Sequence, residues 1–151
     1  MITLSLLQYL SNNGYGIIDK DLFWQKLSLG KIGVYITSIG QSQERGQLRV
    51  QRYQLYSRGK NDVDGYNRLA KIVEFLNNSY GVCKLPKAGF LDLDRGSLAT
   101  GSLSPSGTNS QAFANAKEYE SVTIMPVSTP TNIGEDTNGR IIWSVTGELR
   151  Y

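Results

Sequence analysis

Two alternating runs followed at once by a striped one constrain this chain more than any other feature. KIGVYITSIG, residues 31–40, puts Ile32, Val34 and Ile36 on one side and Gly33, Tyr35 and Thr37 on the other. That is the period of a half-buried strand. After the polar turn GQSQERGQ comes LRVQRYQLYS, residues 48–57, a second strand expected to pair with the first as a hairpin. Its phase slips, because Leu48 and Val50 fall on one side and Tyr53 and Leu55 on the other. A bulge near Gln51 and Arg52 accounts for the slip. The elbow Ser57-Arg58-Gly59-Lys60 leads into a helix. Val63, Tyr66, Leu69, Ala70, Val73 and Leu76 recur there at spacings of three and four, with Asn67, Lys71 and Glu74 off the stripe. Asn61 is its N-cap, and Asp62 and Asp64 suit the positive end of the macrodipole. Asn77, Asn78 and Gly81 end it.

The rest of the chain adds elements around this centre. Ile2, Leu6, Leu7 and Leu10 form a second helical stripe, capped by Thr3 and ended by Asn12-Asn13-Gly14. DKDLFWQKLSLGK reads as one helical turn or a loop packed on the core. EYESVTIMPVS holds a strand that Pro126 ends, TPTNIGEDTNGR is a turn-rich link with the hairpin signal Asn138-Gly139, and RIIWSVTGELRY is a long closing strand. AGFLDLDRG holds a short strand, and residues 99–111 form a flexible Gly/Ser-rich loop. The expected fold is α+β: one domain over residues 1–151, with a mostly antiparallel sheet of about four strands and two main helices packed on one side.

Composition narrows the function classes. The chain has 151 residues and no histidine, which removes the commonest general base and most zinc sites. A single cysteine, Cys83, allows no internal disulfide and reads as a small buried hydrophobe. The net charge of +3 is too small to argue for nucleic-acid binding by itself. The first residues lack a basic lead-in, and no run approaches a bilayer span, so a soluble intracellular protein without membrane contact is expected.

No stretch carries a catalytic signature. SRGKND lacks the leading glycine and final hydroxyl of a phosphate-binding loop, and a hairpin rather than a parallel unit precedes the helix. The elbow therefore reads as scaffold, a solvated turn in which Gly59 takes an unusual φ. Asp92 and Asp94 in LDLD share a strand face but have no further ligands beside them. The turn near Asp136 lacks the spaced oxygens of a calcium loop. No enzyme, metal or cofactor is expected.

Arg45, Arg49, Arg52, Arg58 and Lys60 make the second strand and its ends basic, with Tyr53 and Tyr56 interleaved. Arg49 and Gln51 share one face while Arg52 lies on the other, so the charges form no single stripe. Contact between protein subunits is the preferred use of such residues. A small nucleic-acid-binding accessory protein using residues 45–60 is the alternative from another class.

Three stretches together resemble the tail-terminator, or tail-completion, proteins of long-tailed bacteriophages. KIGVYITSIG is similar to the family's first central strand. QLRVQRYQLYSRGKNDVDGYNRLAKIVEFLN is similar to its second strand, basic elbow and second helix. VTIMPVSTPTNIGEDTNGRIIWSVTGELRY is similar to its closing hairpin. The resemblance implies a homohexameric ring in the virion, at the head-proximal end of the tail, assembled in the host cytoplasm. Such a ring stops tube polymerisation and offers a joining surface. Its partners would be further copies of itself, the tail-tube protein and a neck or head-completion protein, with DNA passing through the lumen unread. A tube or neck subunit is the alternative within the same class. The candidate interface comprises Arg49, Arg52, Tyr53, Arg58 and Lys60, with Ser104 and Thr108 on the loop.

Overall fold

The computed structural model describes residues 2–25, 31–43, 46, 48–86 and 119–151, those at 119 and 120 by backbone alone. The loop at 99–111, with Ser104 and Thr108, lies outside the described residues, as do Asp92 and Asp94. The order of elements is α1 (Ile2–Asn12), β1 (Leu22–Trp24), β2 (Gly33–Gln43), β3 (Arg49–Arg58), α2 (Asp62–Asn78), β4 (Gly81–Pro86), β5 (Tyr119–Ile124), β6 (Thr131–Glu135) and β7 (Ile141–Arg150).

The expected sheet of about four mostly antiparallel strands is overturned. Seven strands form one mixed sheet in the order β1-β2-β3-β7-β5-β4, with β6 also on β7, and sheet outweighs helix. β1 runs parallel to β2, with Leu22 beside Val34, and the other pairings between these strands are antiparallel. One edge of β7 is taken by β3, from Val50↔Arg150 to Ser57↔Trp143. Its other edge is divided between β6, near Ser144, and β5, at Leu149 and Arg150. The sheet curls into a half-barrel, so that α1 packs against β1 and β2 near one end and β4 at the other.

One core fills the curl. Leu6, Leu7 and Leu10 of α1 meet Leu69, Ile72 and Leu76 of α2 and the inward side chains of β2, β3 and β7, including Ile36, Leu55 and Leu149. The α2 stripe is turned slightly from its expected position. Gly65, Leu69, Ile72, Val73 and Leu76 are buried, whereas Val63 is 68% exposed and Tyr66 lies at the rim against Trp143. Thr3 sits within α1 rather than capping it. Its hydroxyl is buried, 3.2 Å from Ser38 Oγ, and accepts from Trp24 Nε1 at 3.2 Å.

The bulge lies on β2, not on β3. The register steps from Ser38↔Tyr53 to Gly40↔Arg52, leaving Ile39 as the extra residue. β3 itself carries no bulge in its pairing with β7, and Gln51, Tyr53, Leu55 and Ser57 are all buried on its inner face, while Val50 and Arg58 are buried on the other. Gln51 survives at an inward position because its amide is satisfied: Nε2 donates to the carbonyls of Gly40 and Arg52, each at 2.8 Å. A buried amide left unpaired would cost about 1–3 kcal/mol. The apparent phase slip in the sequence was a polar residue at an inner position whose partner is the bulged strand.

Candidate subunit interface

The elbow is built around close approach. A Cβ on Gly59 would lie 2.3 Å from the Gly65 amide nitrogen, so the chain presses onto the first turn of α2 with no room for a side chain. Its φ lies outside the left-handed region, so contact rather than an unusual dihedral demands glycine here. Ser57 Oγ donates to the Gly65 carbonyl at 2.8 Å and fixes the strand to the helix. Asn61 caps α2 as expected, its Oδ1 accepting from the Asp64 N–H at 2.8 Å. Asp64 in turn accepts from the Lys60 N–H at 2.9 Å and from Arg68 Nε at 3.1 Å. The Lys60 amide, with help from Arg68, holds the Asp64 carboxyl below its usual range. An anion has little reason to settle at an end already supplied with carboxylates. The open groove beside it is lined by Asn61, Asp62, Val63, Asp64 and Asn67.

Arg58 is not part of a solvated turn. Its side chain is 8% exposed and reaches Asp136, itself 6% exposed, at 3.1 Å. Arg58 Nε also donates to the Lys31 carbonyl at 2.9 Å. One arginine thus ties the β6–β7 turn to the foot of the β2–β3 hairpin. The Arg140 and Asn138 amides donate to Asp136 Oδ1, both at 2.9 Å. These contacts, the Arg140 amide first, depress the Asp136 carboxyl below its usual range.

The expected interface set is therefore divided. Arg49, Arg52 and Lys60 are exposed. Arg52 stands on the outer face near Glu148, at 3.8 Å, and Arg150 reaches the same carboxylate at 2.7 Å. Arg49 lies on the opposite face, its backbone bonded to Tyr151. Tyr53 and Arg58, expected at the interface, lie inside the fold. Tyr53 is fully buried on the inner face, and Arg58 is held in its ion pair; neither offers a surface to a partner. Tyr56 stacks on Tyr35, with centroids 4.6 Å apart. Its hydroxyl donates to Gln54, whose Nε2 donates to Ser144 Oγ at 2.8 Å. Rings engaged with each other across neighbouring strands make a poor platform for stacked bases.

What residue types did not reveal is where the sheet stays open. Among the described residues, β1 covers the outer edge of β2 only from Val34 to Ile36. Beyond it, residues 38–43 are all exposed, and Ile39 is 51% exposed at the bulge. At the other end, β4 pairs only with β5 among the described residues, and Val82 on it is 78% exposed. Cys83 is half-buried there, packed against the core, and burial pushes its thiol up. Among the described residues no group of three or more His, Cys, Asp or Glu is placed to hold a metal ion, and no helix is long and apolar enough to cross a membrane. No protein-family model matches the chain, and no curated protein sequence matches it.

Proposed function

We propose that this chain is a structural virion protein that assembles into a ring at the head-proximal end of a phage tail. The ring ends tube polymerisation and provides the surface for joining to the head. Its partners are copies of itself, the tail-tube protein and a neck or head-completion protein, and DNA crosses the lumen without being read. The reading starts from the resemblance of three stretches of sequence. The observation that carries it is the outer edge of β2 at residues 38–43, exposed, paired with no strand among the described residues, and without a charged residue or proline. Soluble proteins usually protect such edges with charges, proline or a covering element. Leaving one bare suits a subunit whose edge is covered by assembly.

Native mass spectrometry and negative-stain electron microscopy of the purified chain, alone and with tail-tube protein, test this. Closed rings, six-fold by the resemblance, are the expected species at micromolar concentration. A protein that stays at 16.7 kDa under both conditions and does not bind tubes overturns the reading.

A further inference from the structure

We infer that the ring is closed by edge-to-edge sheet pairing: residues 38–43 of β2 in one copy join the outer edge of β4 in the next. The inference rests on the ring reading and names the contact within it. Among the described residues, β2 and β4 leave two different stretches of one sheet unpaired, one beyond the reach of β1 and the other on the terminal strand. Each stretch is six residues long, 38–43 and Gly81–Pro86. Each presents one aliphatic side chain without cover, Ile39 at 51% exposure and Val82 at 78%. On β4, Leu85 and the half-buried Cys83 turn to the core while Val82 and Lys84 turn to solvent. Pairing with the uncharged β2 stretch therefore sets Lys84 against no like charge.

The occupant is a second copy because head-to-tail pairing satisfies both edges in every subunit. A two-fold pairing of β2 with itself leaves β4 bare. A contact between two different patches of the same chain propagates until the rotation closes on itself, which is how rings form. Backbone hydrogen bonds along the edges supply the attraction, as in other strand-addition contacts, and the bulge at Ile39 sets the register.

Two variants with opposite lesions test this. Ile39→Lys spoils the β2 edge and Val82→Lys spoils the β4 edge. Both positions are exposed, so circular dichroism should match the parent, and each variant should still unfold cooperatively, at a temperature lowered only by the loss of assembly. Alone, each variant should run at the monomer mass, because no copy carries the edge its neighbour needs. Mixed in equal amounts, they should form a heterodimer and nothing larger, the intact β2 of one joining the intact β4 of the other. Val82→Lys remaining dimeric while Ile39→Lys does not would show β2 pairing with itself and overturn the inference. Both variants forming parental rings would overturn it while leaving the ring reading in place. A parent that never leaves the monomer state overturns both.

Discussion

Tyr53 lies across Gly147 of the neighbouring strand, and a Cβ there would meet its ring at 2.3 Å. The hydroxyl at the end of that ring is buried and has no hydrogen-bond partner among the described residues, and burial pushes its pKa well above the usual phenol value. Two substitutions separate shape from polarity. Gly147→Ala should destabilise the fold by roughly 1–3 kcal/mol through overpacking. Tyr53→Phe keeps the ring and removes the unpaired group, so it should raise stability by about 1–3 kcal/mol. Urea unfolding of both variants measures the pair. Asp136 gives a second prediction at this scale. Its folded pKa is depressed, so its contribution is present above the unfolded carboxylate value and lost as pH falls through the folded one. Asp64 shifts in the same direction. Asp136→Asn should therefore flatten, without abolishing, the loss of thermal stability on acidification below the ordinary carboxylate range. An unchanged acid limb would mean that the contacts of the Asp136 carboxylate, the Arg140 amide first and Arg58 among them, contribute nothing to it.

Helix α2 shows why a stripe must be placed as well as recognised. Leu69→Ala should cost roughly 2–5 kcal/mol, whereas Val63→Ala should fall within about 0.5 kcal/mol of the parent. Asn61→Ala removes the cap and should cost about 1 kcal/mol. Chemical denaturation of the three variants tests the assigned face. The helix itself was legible because its spacing repeats for 17 residues; Ile72 was missed because the stripe was aligned on Val63 and Tyr66. β2, β3 and β7 were legible for the same reason, each running ten or eleven residues. β1 has three residues and β6 five, all of the latter exposed, so neither shows a period that could be read. β4 is a six-residue strand that starts at a helix-ending glycine and stops at a proline, too short to show a period beside those two breakers. At the interface, Arg52 was placed on the correct face by parity alone. Tyr53 shares parity with the buried Leu55, a signal that residue type obscured. Ile39 breaks the parity of Val34 and Ile36, the one trace of the bulge in the sequence.

At the scale of the molecule, the sheet depends on a single strand. β3 with its hairpin partner lies on one side of β7, and β5 with β4 on the other, and among the described residues only β7 bonds to both. Shortening the chain before Ile141 should therefore cost more than β7 itself: the β2–β3 and β4–β5 ladders should lose protection together in hydrogen exchange. Either ladder staying protected would show that it stands alone. β7 is also the last of these elements to be synthesised. While the ribosome works through the preceding 140 residues, β3 waits with one side bare and the core has no back wall. Folding of this kind, dominated by pairings distant in sequence, is slow and exposes nascent edges to one another on crowded polysomes. Production of this protein should thus respond to chaperone supply and to growth temperature, even though the finished domain needs neither.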